Sequence, residues 1–304
     1  MKKDILIWMA FLLTIIISCT KDEVNEMANT DKSTAITKAE ITDILTIETD
    51  TVGQVAEKIG DHLTVQKLII SGPINATDVN AIRSLPNLVA IDMKNVTIKG
   101  GDERYTVYID NRTETYQLVD NEIGERMFCN TQLSEIILPD NITRIRRRAF
   151  HSLRGSLEHP FTEITIPDNV KTIGDELFVG CDYLEKVVLP ESLQTIAYYT
   201  FYECTNLTTV EIKGNVTTIG LRAFMNCPNL QTITLPESMT TLGEECFAYT
   251  GLTSISIPNN VTYISSSTFR GCSALQSVTL PKGLTSLRAC LNFPPKEFYS
   301  ASFE

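Results

Sequence analysis

The amino-acid sequence predicts an α/β repeat solenoid, in which coils of about 23 residues stack their strands into a parallel sheet. The first observation is a phenylalanine that recurs at spacings of 22, 28, 23, 23, 23 and 22 residues. The second is the alternation of apolar and polar residues in short segments such as 230–235, which is typical of strands with one buried face. The third is the proline that follows most of these segments, as Pro236 does here. The recurring phenylalanines are Phe128, Phe150, Phe178, Phe201, Phe224, Phe247 and Phe269.

The repeated unit reads L-x-x-I-x-I-P-x-x-V-x-x-I-G-x-x-A-F-x-x-C, and each part of it predicts one element. Proline has no N–H group for a strand ladder, so it ends the first strand. A second short strand follows, with inward residues such as Val216 and Ile219, and Gly220 then turns the chain. The A-F-x-x-C segment is expected to close the coil as a short helical turn. Because one coil cannot bury its own apolar face, several coils must stack.

The repeat pattern also sets the predicted segment boundaries. The clearest copies end before a C-terminal stretch that departs from the unit, as the last coil of a stack does. Residues 101–117 interrupt the weaker copies and are expected to form a degenerate coil or a hairpin. The predicted segments are degenerate repeats with an insertion over 65–132, regular repeats over 133–283 and a C-terminal cap over 284–304.

A helical cap is predicted over residues 41–64, ahead of the first repeat. On a helix over 51–63, four apolar residues would share one face and cover the open N-terminal end of the stack. These residues are Val52, Val55, Ile59 and Leu63.

The N-terminus has the pattern of an exported protein. Two lysines precede an apolar run that has the length of a signal-peptide core and is too short to cross a bilayer. The run ends in I-I-S-C at residues 16–19, which resembles a bacterial lipobox. The resemblance implies a lipoprotein signal peptide over 1–18, a lipid on Cys19 that anchors the protein to a membrane, and a polar tether over 19–40. The alternatives are a plain signal peptide and an N-terminal membrane anchor.

The chain is acidic, with a formal net charge of −11 at pH 7. Loss of the signal peptide makes this charge more negative by one, since it removes two lysines and one aspartate. Such a balance argues against nucleic acid and anionic lipid as main partners. The stretch T-K-D-E that follows Cys19 resembles the acidic signal that sends some Gram-negative lipoproteins to the outer face of the outer membrane. We therefore expect an outer-membrane lipoprotein exposed at the cell surface.

The repeated unit resembles the leucine-rich repeat of the BspA type, which occurs in surface proteins of oral and gut anaerobes and of some protozoan parasites. The resemblance covers residues 65–290. It implies a leucine-rich repeat fold with the partner site on the face of the parallel sheet. Some members of this family act as adhesins, so it also implies binding to a macromolecule of a host or of a neighbouring cell.

Seven cysteines remain besides Cys19, and four of them share one register, three residues after the phenylalanine. An exported protein can pair such residues, and stacked coils lie at a distance that disulfides permit. Residues stacked in register, however, point their Cβ atoms in parallel, and the number of cysteines is odd. We therefore favour buried thiols that pack as small apolar side chains. The seven are Cys129, Cys181, Cys204, Cys227, Cys246, Cys272 and Cys290.

The sequence contains no recognisable catalytic pattern. It has three histidines and none of the common nucleotide-binding, zinc-protease or hydrolase motifs. His151 and His159 flank an expanded coil and could bind a metal, but no cysteine or paired acid lies beside them, which favours solvated loop histidines. We expect no enzyme activity, no metal and no cofactor.

The outward positions of the predicted first strands are the leading candidate for a binding surface. Stacking aligns these positions into rows, which change from charged to hydroxyl-rich toward the C-terminus. Serine and threonine also suit a soluble strand ladder, and this alternative is equally open. The candidate residues are Thr209, Glu211, Thr232, Thr234, Ser254 and Ser256.

Two further clusters are candidates. A basic patch beside the expanded coil could bind a sulfated glycan or an acidic protein segment, but its arginines could instead pair with Asp175 and Glu176 of the next coil, which we favour. Three tyrosines suit contact with protein or sugar, and some of them could pack between coils. The residues are Arg144, Arg146, Arg147, Arg148 and Arg154 in the basic patch and Tyr198, Tyr199 and Tyr202 in the tyrosine cluster.

Together these patterns predict a lipid-anchored, surface-exposed and non-catalytic protein that acts in the manner of an adhesin. Its expected partner is a host extracellular-matrix or cell-surface protein, or a glycan. The alternative is a glycan-binding accessory lipoprotein of an uptake system. Both functions place the specificity in the exposed, variable positions of a rigid repeat scaffold.

Overall fold

Each regular coil of the protein has three sides, which are a first strand, a second strand and a turn segment. Successive coils pair in parallel one repeat apart, as Lys186 does with Thr209, so the predicted repeat solenoid is confirmed. The predicted signal peptide, with Cys19 and all but the last residue of the tether, falls outside the described part of the chain. The structure is a computed structural model that describes residues 40–109, 111–152, 161–265, 267–287 and 297–300.

The described residues form short strands and two short helices. From β6 on, no strand exceeds four residues, because each side of a coil is short. The helices are α1 (Val55–Ile59) and α2 (Ala76–Arg83). In chain order the strands are β1 (Ile44–Glu48), β2 (Lys67–Ile74), β3 (Ala90–Ile98), β4 (Arg104–Ile109), β5 (Arg112–Gln117), β6 (Glu122–Ile123), β7 (Glu135–Ile137), β8 (Arg144–Ile145), β9 (Glu163–Thr165), β10 (Thr172–Ile173), β11 (Lys186–Leu189), β12 (Thr195–Ile196), β13 (Thr209–Ile212), β14 (Thr218–Ile219), β15 (Thr241–Leu242), β16 (Ser254–Ser256), β17 (Tyr263–Ile264), β18 (Ser277–Leu280), β19 (Ser286–Leu287) and β20 (Glu297–Ser300).

The first strands of the coils form a parallel ladder along one side of the solenoid, which we call the first ladder. It has three sections, β1–β2–β3–β7, β9–β11–β13 and β16–β18–β20. The first gap coincides with the longest interval between phenylalanines, from Phe150 to Phe178. The second gap falls at residues 231–235, which the sequence predicts as a strand and which the structure leaves unpaired. Within the sections the inward residues are in register, as the buried Val187 and Val210 show.

The second strands form a second parallel ladder, with sections β6–β8–β10, β12–β14–β15 and β17–β19. In the strands of this ladder that precede β19 the second residue is buried and the first is partly or fully exposed, as Ile196 and Thr195 show. Gly220 and Gly243 follow β14 and β15, where successive coils approach closely. A Cβ atom on Gly243 would lie 2.5 Å from the carbonyl carbon of Gly220. Backbone therefore packs directly on backbone at this corner.

The turn segments form the third side of the solenoid, which we call the turn side. Here the structure differs from the helical turn that the sequence predicts. Tyr199 and Glu203 have positive φ angles of 55° and 59°. Their N–H groups, and that of Phe201 between them, donate to carbonyls of the next coil at 3.0, 3.0 and 2.8 Å. Left-handed backbone costs about 1–2 kcal/mol at a residue other than glycine, and the bonds between coils offset this cost. A helical turn would have used these groups within one coil.

A continuous stack of phenylalanine rings fills the core beside the turn side. Successive rings from Phe128 to Phe269 have centroids 5.0 to 5.9 Å apart and planes tilted by 4° to 16°. Nearly parallel planes at this centroid distance mean offset stacking, which aromatic quadrupoles favour over a face-to-face sandwich. Phe161 adds an edge contact to Phe150 at 6.0 Å. The stack is unbroken at both gaps of the first ladder.

The cysteines of the repeat are buried free thiols in the described residues, the arrangement that the sequence favoured. The Sγ atom of Cys204 donates to the carbonyl oxygen of Phe178 in the preceding coil at 3.1 Å. Cys181 and Cys227 make the equivalent bond, also at 3.1 Å. Burial raises the pKa of all three thiols. Each thiol therefore stays neutral and satisfies a carbonyl beside the phenylalanine stack.

The N-terminal end differs from the helical cap predicted over 41–64. It begins with β1, which pairs in parallel with β2 and so builds a first coil of the solenoid. Only Val55–Ile59 is helical, and the predicted face residues Val52 and Leu63 are 41% and 57% exposed. A glycine with positive φ follows the helix and ends it after five residues. The end of the stack is therefore a coil that joins the first ladder and has a short helix where later coils have a second-ladder strand.

The insertion at 101–117 is an antiparallel hairpin, β4–β5, which is one of the two structures that the sequence allowed. Tyr105 and Val107 on its inner side are fully buried, and the Tyr105 hydroxyl donates to the carbonyl of Glu125. The hairpin packs on α2, whose N-terminus is closed by a capping box between Asn75 and Asp78. It thus extends the core sideways without interrupting the stack.

The described parts of the predicted C-terminal cap, residues 284–304, continue both ladders. Strand β19 pairs with β17, and β20 pairs with β18, in parallel in both cases. These strands add further rungs to the stack. The remainder of the segment, including Cys290, lies outside the described residues.

We expect Gly243→Ala to destabilise the protein, because the new Cβ would meet backbone atoms of the Gly220 corner that cannot move aside. Overpacking of this kind costs about 1–3 kcal/mol. The measurement is the midpoint of urea unfolding followed by circular dichroism. Gly283→Ala is the matched control, since its Cβ would have no neighbour closer than 3.6 Å. Equal midpoints for the two variants would show that the corner is not tightly packed.

We expect the free energy of unfolding to fall as the pH rises above 9, the ordinary pKa of the cysteine thiol. The folded state holds the pKa of the buried thiols above this value, so at higher pH the unfolded chain alone loses the protons. The contribution is present in full below pH 9. Urea unfolding at pH 7 and pH 10 measures the difference.

A second readout tests the burial of the thiols directly. In the chain from Thr20 onward with Cys290→Ala, a thiol-specific colorimetric reagent at pH 8 should react only after urea is added. Immediate reaction of the native protein would contradict the buried thiol row.

Candidate binding surface

The outward residues of the first ladder form the surface that the sequence analysis ranks first, here called the strand face. Between β9 and β13 the register places Glu163, Lys186 and Thr209 in one row. Between β16 and β18 it pairs Ser254 with Ser277. The strand face therefore changes from charged to hydroxyl-rich along the solenoid, as the sequence predicts.

The strand face is interrupted at residues 231–235, at the second gap of the first ladder. No strand pairing and no backbone hydrogen bond joins this segment to residues 208–212 of the preceding coil, all of which the structure describes. Toward the following coil, the carbonyl of Gln231 accepts from the N–H of Thr253 at 3.1 Å. Residues 232–235 make no backbone hydrogen bond on either side.

The opening is confined to the strand face, because the same two coils stay in contact on their other sides. In the second ladder Thr218 still pairs with Thr241. On the turn side the rings of Phe224 and Phe247 remain 5.4 Å apart. The gap between the coils is therefore a wedge that opens outward.

A groove of about 440 Å³ lies over this wedge. The hydroxyl-bearing Thr209, Thr232 and Thr234 line it, and all three residues are exposed. The largely buried Val210 and Ile233 contribute apolar surface between them. With Glu211, four of the six strand-face candidates meet in this groove.

Two charged side chains in the groove have no partner within the described structure. Lys186 and Glu211 line the groove and are exposed, and their side chains make no hydrogen bond or ion pair with the described residues. From the sequence, Lys186 is placed among the outward residues of the first strands but is not selected as a candidate site residue. Its strand register, in the same row as Thr209 and one coil earlier, was the signal that could have identified it. The groove thus offers one free cation, one free anion and several hydroxyls.

The other two strand-face candidates lie outside the groove. Ser254 and Ser256 are exposed on β16 and pair with Ser277 and Thr279 of β18. They form an intact part of the strand face on the C-terminal side of the wedge.

The basic patch is largely neutralised within the protein. Three of its arginines form ion pairs with glutamates of neighbouring coils, and the fourth donates to a threonine. Arg154 lies outside the described residues. The contacts are Arg144 Nε to Thr172 Oγ1 at 2.9 Å, Arg146 Nε to Glu122 at 2.6 Å, Arg148 to Glu176 at 2.6 Å and Arg147 to Glu176. The favoured alternative, pairing with the next coil, is therefore what the structure shows for Arg147 and Arg148.

The electrostatics of Glu176 are consistent with this pairing. Burial alone raises the pKa of its carboxyl group, and the hydrogen bonds from Arg147 and Arg148 more than reverse this, so that the pKa lies below its ordinary value. Asp175, the other predicted acid, accepts the backbone N–H of Tyr198 at 3.1 Å instead. An external anion would have to compete with a bound carboxylate for these arginines.

The tyrosine cluster is divided between exposed and packed side chains. Tyr198 is 54% exposed and lies against Gly220 of the next coil. Tyr199 and Tyr202 are half-buried and make an edge-to-face contact at 5.6 Å. The Tyr199 hydroxyl accepts a hydrogen bond from Arg222 at 3.1 Å. The structure thus leaves Tyr198 as the member of the cluster that presents a large exposed surface.

The described part of the chain contains no group of three or more His, Cys, Asp and Glu residues placed to hold a metal ion. Among its helices, none is long and apolar enough to cross a membrane. His159 lies outside the described residues, whereas His151 has an intermediate exposure.

Three solved structures of bacterial repeat proteins are similar to this chain. A leucine-rich repeat protein from Bacteroides ovatus is 27% identical over 71% of this chain and 54% of its own, with a TM-score of 0.48. A leucine-rich repeat protein from T. pallidum is 29% identical over 46% and 59%, with a TM-score of 0.35. A leucine-rich cell surface protein from Faecalibacterium prausnitzii is 22% identical over 73% and 74%, with a TM-score of 0.37. The chain thus spans little more than half the length of the first two.

No curated protein matches the sequence significantly. The family model described as the BspA type leucine rich repeat region matches in six copies. The matched residues are 57–156, 156–273 and 240–291, which together cover well over half of the chain. They coincide with the coils whose ladders, phenylalanine stack and cysteine row are described above. The chain therefore belongs to the BspA-type leucine-rich repeat family.

Proposed function

We propose that the protein is a surface-exposed lipoprotein that binds macromolecules of a host or of neighbouring cells and has no enzyme activity. A repeat solenoid is a rigid scaffold whose specificity lies in its exposed residues. The observation that carries the proposal is the groove in the strand face, where hydroxyls and two unpaired charges lie together. These groups supply hydrogen bonds and opposite charges to a partner, and no group of metal ligands lies in the described part of the chain.

The location at the cell surface rests on the N-terminal sequence. Cys19 follows an apolar run in a lipobox-like pattern, and lipid chains on this residue would hold the protein at the outer membrane. The polar residues between Cys19 and Glu40 would let the solenoid stand away from the membrane.

A protein partner is favoured over the other classes. The negative net charge disfavours nucleic acid, and the ion pairs of Arg146, Arg147 and Arg148 occupy most of the described cations of the basic patch, which disfavours a sulfated glycan. The groove instead combines a free cation, a free anion and hydroxyls, which suits the mixed charges of a protein surface.

The second candidate is a glycan-binding accessory function in an uptake system. The observation that favours it is Tyr198, whose exposed ring is available for an apolar sugar face. It ranks second because the other tyrosines of the cluster pack within the protein.

We expect the native protein to fractionate with the outer membrane and to be degraded by protease added to intact cells. Cys19→Ala should release it from the membrane fraction, because the lipid would have no attachment point. The measurement is an immunoblot of cell fractions before and after protease treatment. Membrane association of Cys19→Ala, or protection of the native protein in intact cells, would contradict the proposed location.

We expect the strand-face variant Ser254→Arg/Ser256→Arg to lose binding to host extracellular-matrix and mucosal protein, by about tenfold or more in dissociation constant. Two long cations would obstruct the face on which the partner lies. Thr218→Arg/Thr241→Arg in the second ladder is the matched control, since it makes the same change on another side of the coil. The measurement is capture on the immobilised chain from Thr20 onward, followed by affinity measurement with the purified partner.

Two results would decide against this proposal. Equal affinity of the two variants, whether retained or lost, would show that the partner does not bind specifically through the strand face. Capture of polysaccharide alone, abolished by Tyr198→Ala, would favour the glycan-binding function.

A further inference from the structure

The wedge between β13 and residues 231–235 leaves main-chain groups without partners beside the groove. In a regular coil, the N–H groups of Thr208 and Thr209 donate to the carbonyl of Glu185 at 2.9 and 3.0 Å. One coil later, the equivalent N–H groups at 231 and 232 have no backbone acceptor, and the carbonyl of Thr208 receives no donor. Unpaired groups at the edge of a strand are those through which an added extended chain binds.

We propose that this groove binds an extended polypeptide segment of the partner, laid along β13. The inference rests on the proposed function and adds to it the place and the form of the bound segment. The main chain of such a segment presents alternating donors and acceptors. These match the unpaired N–H and C=O groups and the hydroxyls of Thr209, Thr232 and Thr234.

The length of the opening sets the length of the segment. Residues 231–235 make no backbone bond to the preceding coil, and an extended chain rises about 3.3 Å per residue, so a segment of about five residues would span the opening. The coils remain closed on the other two sides, so the segment would enter the wedge from the strand face only. Val210 and Ile233 would lie beneath its apolar side chains.

The two unpaired charges set a sequence preference. Lys186 is in register with Thr209, and Glu211 lies two residues further along β13. Side chains two apart in an extended segment point to the same side. The bound segment should therefore carry an acidic and a basic residue at i and i+2, with the acid in the row of Thr209 and Lys186 and the base in the row of Glu211.

A polypeptide fits this groove better than an oligosaccharide does. No aromatic side chain lines the groove, whereas a sugar ring needs a flat apolar surface for its apolar face. Unpaired main-chain groups and a pair of opposite charges are features that a peptide can complement residue by residue.

The test uses a displayed library of random twelve-residue peptides, selected on the immobilised chain from Thr20 onward. Selected peptides should share an acidic and a basic residue separated by one position. Their dissociation constants are then measured by fluorescence anisotropy. Thr209→Arg/Thr232→Arg, which fills the groove, should weaken binding about tenfold or more. Thr165→Arg/Thr279→Arg, the same change at exposed strand-face positions outside the groove, should not.

Exchanging the two groove charges distinguishes loss of specific recognition from a general loss of folding. Lys186→Glu/Glu211→Lys should weaken binding of the selected peptides and bind peptides in which the acid and the base are exchanged. Hydrogen exchange supplies the structural readout. The N–H groups of Thr232 and Thr234 should exchange rapidly in the free protein and become protected when peptide is added.

Three results would overturn the inference. They are a selection without enriched peptides, equal affinity of the groove variant and the control variant, and protection of Thr232 and Thr234 by a neutral oligosaccharide instead of a peptide. The proposed function is tested separately. If the whole partner is retained by the groove variant and lost by Ser254→Arg/Ser256→Arg, the inference fails and the proposed function stands.

Discussion

The distance between successive coils is the constraint on which the rest of the structure depends. Strands in a ladder lie about 4.8 Å apart, so every coil must sit one strand spacing above the previous one. The phenylalanine rings meet this spacing by offset stacking at 5.0 to 5.9 Å. At the Gly220 corner the same spacing leaves no room for a Cβ atom. On the turn side it favours left-handed residues, whose N–H groups can then reach the next coil.

Much of the fold could be predicted because the residues that meet this spacing recur in every copy of the repeat. The period, the strand positions and the buried thiols all follow from residues that recur at the same place in each unit. The turn side could not be predicted so well, because A-F-x-x-C is also a good pattern for a helical turn. The asparagines and glycines with positive φ in some copies, such as Asn226 and Gly271, were the available signal for left-handed backbone. The prediction of a helical cap at the N-terminus was wrong for a related reason. One helical turn in a first coil gives the same spacing of apolar residues as a longer helix.

The basic patch shows where sequence reasoning about sites reaches its limit. Five arginines within a few residues indicate an anion site, and the repeat period is needed to find which acids lie one coil away. The structure places Glu176 against Arg147 and Arg148, and the lowered pKa of its carboxyl group reflects both contacts. In a solenoid, charge must therefore be counted across neighbouring coils before a surface is called basic.

The groove could not be predicted, because the segment Q-T-I-T-L-P at 231–236 has the same pattern as the strands that do pair. Its opening has a small energetic cost at the surface, since water replaces each lost bond and the net value of a backbone hydrogen bond is only about 0.5–1.5 kcal/mol. The same small net free energy per hydrogen bond limits how much binding free energy a segment can gain from the unpaired main-chain groups. Main-chain bonds to 231–235 would set register and direction, and most of the affinity would have to come from Lys186, Glu211 and the intact strand face on either side. A partner that uses this groove must therefore also contact neighbouring coils, which is the form of recognition that a long rigid solenoid permits.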